Sequence, residues 1–139
     1  MVDRITPEAR SANMSRVRNK NTKPELLVRS VLHRAGYRFR LHLDDLAGSP
    51  DIVLPKYQTA IFVHGCFWHG HEGCRRSKLP ATRIEFWRAK IERNKERDLT
   101  AKQELTVLGF KVVTLWECEL KPASAILSRV DSVTGRGEL

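Results

Sequence analysis

Cysteine is scarce in this chain: three residues in 139, at Cys66, Cys74 and Cys118. An odd number is ill suited to a disulfide framework, so metal ligation or a buried thiol is the better expectation. Long apolar runs are missing as well. Nowhere do about 18 apolar residues follow one another, and no membrane span is expected. The opening "MVDRITPEARSANM" has no apolar core, so no standard secretory signal is expected and a cytoplasmic setting follows. Acidic residues are in short supply: sixteen Asp and Glu stand against twenty-five Lys and Arg, for a net charge of +9. With a pI near 9.9, the first partner to consider is a polyanion, because Lys and Arg gain by releasing counterions from phosphates. Internal repeats and low-complexity segments are absent too.

What is present suits one globular domain. The hydrophobic fraction of 41% is ordinary and argues against general disorder. Residues 1–22 are polar and basic without a period, and read as an arm preceding a single domain over 23–139. In "TKPELLVRSVLHRAGY", Thr22 can cap a helix, Pro24 suits its first turn and Glu25 completes a T-x-x-E capping box. Leu26, Leu27, Val31 and Leu32 share a face at helical spacing, and Gly36 ends the run. Strands are predicted at 37–42, 51–54 and 59–65, with "PKYQ" as the turn between the last two. A long helix is predicted from the second T-x-x-E box, Thr82 to Glu85, up to Gly109. A buried strand follows at 110–117, then a short helix at 122–130. The order α-β-β-β-α-β-α defines a mixed α/β fold with helices on both faces of a small sheet. A helix separates strands 59–65 and 110–117, so those two should be parallel.

"FVHGCFWHGHEGC" (62–74) holds three histidines, two cysteines and two large aromatics. Cys66, His71 and Cys74 have the spacing C-x4-H-x2-C, and Cys118 lies just past the last strand. Parallel neighbours would bring Cys66 and Cys118 to the same sheet edge. Cys3His is a standard closed set for Zn²⁺, and a filled set leaves no open position, so the metal would be structural. The competing reading is three buried thiols and a solvent-facing histidine.

His64 and His69 remain after that subtraction. Each is either an ordinary polar residue or a group that takes a proton from water or stabilises phosphate charge. Asp51, in "SPDIVL", is either a turn aspartate or a ligand for Mg²⁺, which takes oxygen donors. Glu25 is explained by its capping box, yet could also orient a histidine. Together these residues suit phosphodiester hydrolysis. Phe67 and Trp68 look exposed in a loop that a metal would clamp, and apolar wedges of this kind unstack and kink duplexes. Trp87 and Met14 are further candidates, although Trp87 also fits a core stripe with Ile84, Ile91 and Asn94.

With "SANM", "NTKPE", "SPDIV", "FVHGCFWHGHEGC", "ATRIEFW", "ERNKERD" and "LWECEL" assembled, the chain resembles the very short patch repair (Vsr) endonucleases of bacteria. The resemblance runs from about Arg10 to Leu120. It implies a core similar to that of type II restriction endonucleases, in the order α-β-β-β-α-β. It further implies a Mg²⁺-dependent nick on the 5′ side of the thymine in a T·G mismatch, the product of 5-methylcytosine deamination. By resemblance, Asp51 and the Val63 backbone carbonyl hold Mg²⁺, and His69 is the general base. His64 lies near the scissile phosphate, and Glu25 orients His69. Asn94 and Asp98 support metal-bound waters. Cys66, His71, Cys74 and Cys118 hold structural Zn²⁺, while Phe67, Trp68, Trp87 and Met14 intercalate. Double-stranded DNA is the implied partner, with mismatch-repair proteins as further ones and a monomer as the unit. Val63 stands where the family has threonine, which a carbonyl contact tolerates, and one residue is inserted before Cys74. The alternatives are a non-catalytic zinc-stapled DNA-binding module and a zinc hydrolase of small molecules.

Overall fold

The computed structural model describes residues 21–136; Met14 and nearly all of the basic arm lie outside that range. Helix α1 (Lys23–Arg34) begins where the capping signal placed it. The Thr22 hydroxyl accepts the Glu25 N–H at 3.3 Å, and Pro24 occupies the first turn, where no backbone donor is needed. Only half of the box forms, because the Glu25 carboxylate serves other partners. The buried face consists of Glu25, Val28, Val31 and Leu32, while Leu26 is exposed. From Glu25 to Val28 to Val31 the steps are three residues, and from Val28 to Leu32 four, so these side chains share a stripe; Leu26 falls off it.

Four strands follow: β1 (Arg40–Leu41), β2 (Ile52–Leu54), β3 (Thr59–His64) and β4 (Lys111–Trp116). They form one sheet in chain order, antiparallel from β1 to β3 and parallel between β3 and β4. The first strand is much shorter than expected over 37–42. Tyr37 is buried away from the sheet, its hydroxyl hydrogen-bonded to Asp131 and, at 3.0 Å, to Thr134. A tertiary contact thus removes the residue that β propensity would have put in the ladder.

Helix α2 (Ile84–Val107) is the crossover between β3 and β4, and α3 (Ala123–Thr134) closes the described chain. The second capping box does not form: α2 starts at Ile84 after Arg83, a left-handed residue (φ 57°) with no side-chain cap. Glu85 instead pairs with Arg88 at 2.6 Å.

The alternation of β3 sorts the core. Ile61 faces α1 and α3, packing with Val28, Leu32, Ile52, Leu54, Val113, Leu115, Ile126 and Val130. Ala60 and Phe62 face the other way, onto Leu105 of α2 and the segment holding Leu46 and Ala47. With α1 and α3 on one face and α2 on the other, the molecule is a mixed α/β domain with three helices among the described residues. The backbone approaches α2 closely at two glycines. A Cβ on Gly48 (φ +74°) would lie 2.6 Å from the Ala101 Cβ, and one on Gly70 (φ +61°) 2.7 Å from Ile91. The second approach seats the Cys/His loop against α2.

A candidate active site beside a four-ligand cluster

Parallel pairing of β3 with β4 puts His64 opposite Trp116. Cys66 and Cys118 each lie two residues beyond that pair and so emerge at the same level. The loop 65–74 then folds back on itself: the His71 N–H donates to the Cys66 carbonyl at 3.0 Å, and the Cys74 N–H to the His71 carbonyl at 3.3 Å. The ligand atoms of Cys66, His71, Cys74 and Cys118 all lie within 4.8 Å of one another. Sγ of Cys118 is 3.4 Å from Nδ1 of His71. A tetrahedral ion with bonds of about 2.3 Å to sulfur and about 2.0 Å to nitrogen calls for a separation of roughly 3.5 Å. The donor set therefore fits a soft or borderline divalent ion. Burial pushes the Cys66 thiol up, so the thiolate needs a neighbouring cation. Outer contacts complete the cluster. Glu117 accepts the Cys66 N–H at 3.1 Å, and the Trp116 ring stacks on His71 with centroids 4.1 Å apart.

Asp51 immediately precedes β2. Because β2 begins at Ile52, paired with Ile61, the Val63 peptide faces past the end of the ladder. The Val63 N–H donates to Oδ2 of Asp51 at 2.7 Å. An extended residue turns its N–H and C=O to the same side, so the Val63 carbonyl faces that carboxylate too. Burial, with the Glu25 carboxylate nearby, pushes Asp51 up to about 7 despite the Val63 hydrogen bond. Two carboxylates facing one another, one with an oxygen to spare beside a carbonyl, form an oxygen-donor set suited to Mg²⁺.

Asp51 and Val63 line one cavity with His42, His64, His69, Arg97 and Asp98. There Nδ1 of His69 is 2.7 Å from Oδ2 of Asp98. An ionised carboxylate can only accept, so Nδ1 is the donor, and in a neutral imidazole Nε2 is then the nitrogen left with a lone pair. The His64 ring stacks on His69 at 3.7 Å with planes 2° apart. His64 is buried, with Nδ1 lacking a hydrogen-bond partner, and its Nε2 stands 4.0 Å from Asp98. Burial first, then the adjacent His69, lowers its pKa to about 3 against the opposing pull of Asp98, so His64 is neutral at physiological pH.

The structure gives two of the expected residues other partners. Glu25, only 1% exposed, is hydrogen-bonded elsewhere than to His69. Its Oε2 bonds Nε2 of His42 at 2.9 Å and Arg29 at 3.0 Å, while Oε1 accepts the Asn21 N–H at 3.3 Å. Asp98 holds the His69 ring instead, from one turn further along α2. Asn94 is not at the cavity either: its Nδ2 donates to the Trp68 carbonyl at 2.9 Å and its Oδ1 accepts from Arg97. It ties the loop to α2. Sequence reasoning missed His42 and Arg97. His42 was absorbed into a predicted strand, and Arg97 was one cation among many.

Phe67, Trp68 and Trp87 are brought together. Their ring centroids are 5.0–5.7 Å apart in edge-on contacts, and Phe86, 43% exposed, packs on Trp87 at 5.2 Å. The expected wedge is thus a half-buried aromatic knot rather than a pair standing free.

Comparison with known proteins adds the identity. Residues 2–76 match the family model described as DNA mismatch endonuclease Vsr. Type II nicking enzyme V.XorIIP of Xanthomonas oryzae pv. oryzae is 50% identical, over 96% of this chain and 97% of that protein. Type II nicking enzyme V.NmeAIP of Neisseria meningitidis serogroup A is 44% identical, over 94% and 93%. DNA mismatch endonuclease Vsr of Escherichia coli is 42% identical, over 87% and 77%. The class is therefore that of DNA endonucleases. Within it, the chain belongs to the DNA mismatch endonuclease Vsr family. Among the described residues no helix is long and apolar enough to cross a membrane.

Proposed function

We propose that this protein nicks one strand of double-stranded DNA on the 5′ side of the thymine in a T·G mismatch, by Mg²⁺-dependent hydrolysis of the phosphodiester. The observation that carries the reading is one cavity holding Asp51 and Val63 on one wall and the His69–Asp98 pair on another. Asp51 and the Val63 carbonyl would hold Mg²⁺, which when bound offsets charge on the phosphoryl and leaving 3′ oxygens. Nε2 of His69 takes the proton of the attacking water, while Asp98 fixes the tautomer and stabilises the imidazolium. His64, neutral and stacked on His69, stiffens that ring beside the scissile phosphate. Arg97, on the cavity rim, suits a phosphate contact.

The four-ligand cluster, read as structural Zn²⁺, holds the loop that presents both His69 and the Phe67–Trp68 pair. The core is read as restriction-endonuclease-like, with residues 1–22 as a basic arm before a single domain. Phe67, Trp68 and Trp87 would open the base stack, at roughly a few kcal/mol per step, offset by phosphate contacts from the basic surface. The protein is read as a cytoplasmic monomer acting on the nucleoid, with mismatch-repair proteins as partners.

The test is a strand-resolved nicking assay on a panel of mismatched duplexes, with and without Mg²⁺. We expect a single Mg²⁺-dependent cut 5′ of the mismatched thymine. Asp51→Ala should abolish cutting while duplex binding survives. Metal-independent cutting, or binding lost together with cutting, would count against this assignment.

A further inference from the structure

His42 belongs to neither the cysteine cluster nor the His69–Asp98 pair, yet it lines the same cavity. Its ligand-type atoms, with those of Glu25 and Asp51, all lie within 4.8 Å of one another. The position is built rather than incidental. Its backbone N–H donates to the Asp51 carbonyl at 3.2 Å, continuing the β1–β2 ladder by one bond. Its φ is +50°, a left-handed value that histidine, like asparagine and aspartate, adopts more readily than other residues with a side chain. Such backbone conformations persist where the surroundings over-determine them, and they gather at functional sites. Here the turn of the backbone lets Nε2 reach Oε2 of Glu25 at 2.9 Å.

We propose that His42 is a positioning residue for the divalent-ion site, holding the buried Glu25 carboxylate beside Asp51 so that the two carboxylates face one cation. The inference rests on the reading of Asp51 as a metal ligand. Arg29 is the other anchor on Oε2, but it lies on α1 itself, four residues from Glu25, so it cannot fix the helix against the strand. His42 can, because it sits at the β1 edge and is tied to Asp51 through the backbone. Outer partners that orient metal-binding carboxylates typically contribute 10–100-fold in metal affinity.

The pair His42→Asn and His42→Gln tests this. Asparagine tolerates left-handed backbone but is too short to reach Glu25, whereas the glutamine amide can stand in for Nε2. Mn²⁺ affinity is measured without DNA by electron paramagnetic resonance on zinc-loaded protein, with Asp51→Asn as reference. Single-turnover nicking and affinity for mismatched DNA are read alongside. We expect His42→Asn to weaken Mn²⁺ binding at least about tenfold. Nicking should fall in parallel at limiting metal, with DNA affinity unchanged, and His42→Gln should recover most of the loss. Unchanged Mn²⁺ affinity in His42→Asn overturns the proposal, as does a His42→Gln variant equally impaired, since reach to Glu25 would then not be the cause. If Asp51→Asn itself binds Mn²⁺ normally, the metal site fails independently of anything His42 does.

Discussion

Asp51 and His64 titrate far from their ordinary ranges, in opposite directions, and each leaves a mark on stability. The pKa of Asp51 is raised in the folded protein from 3.8 to about 7. Between those values the native state binds the extra proton, so this contribution is present below about pH 4 and lost as pH rises through 7. Metal-free protein should therefore be stabilised at pH 8 by Asp51→Asn, on the order of a few kcal/mol. Added Mg²⁺ should recover the same stability in the wild type and not in the variant; chemical denaturation with and without the ion checks both. The pKa of His64 is lowered from 6.5 to about 3. In that window the unfolded state binds the extra proton, so stability present above about pH 6.5 is lost as pH falls toward 3. The two slopes oppose each other between about pH 4 and 6.5. His64→Asn should flatten the acid limb alone, which denaturation midpoints across pH will show.

At the scale of elements, the two clusters are joined by one strand pair. The ends of β3 and β4 deliver Cys66 and Cys118, and the loop between Cys66 and Cys74 carries His69 back to α2. If the cluster holds the proposed ion, Cys118→Ser should release it and free that loop, lowering the melting temperature by at least about 10 °C and exposing residues 65–82 to proteolysis. Asn94→Ala should act more gently, costing about 1 kcal/mol of stability while slowing nicking, because it unties the Trp68 carbonyl from α2.

Much of this level could be read in advance. Apolar runs marked β2, β3 and β4, and the long helix between the last two implied parallel pairing, hence a shared edge for Cys66 and Cys118. The His69–Asp98 contact could not be read the same way, since it joins residues 29 apart whose meeting depends on how the loop lies on α2. The partner of Glu25 was hidden for a related reason. A capping box accounts for a glutamate locally, and nothing in "YRFRLH" signals that His42 leaves the extended conformation to reach it. The start of α2 was not legible because the box residues do not cap it: Arg83, in a left-handed conformation, precedes the helix, and Glu85 pairs with Arg88 on its surface.

Charge governs the behaviour of the whole molecule. With +9 spread over 139 residues, duplex affinity should fall at least about a hundredfold between roughly 50 and 200 mM salt. The preference for a mismatch over matched DNA should survive that change, because the aromatic knot and not the phosphate contacts would read it. Fluorescence anisotropy on matched and mismatched duplexes separates the two. In the proposed reading, charge brings the protein to DNA, an ion in the cysteine cluster keeps the loop in shape, and a second ion beside Asp51 serves the chemistry. Anomalous diffraction from a Mn²⁺-soaked, zinc-loaded crystal tests that division of labour most directly. It should give one zinc peak among Cys66, His71, Cys74 and Cys118, and a separate manganese peak against Asp51 and the Val63 carbonyl. A bare Asp51, with manganese bound elsewhere or confined to the cysteine cluster, would contradict it.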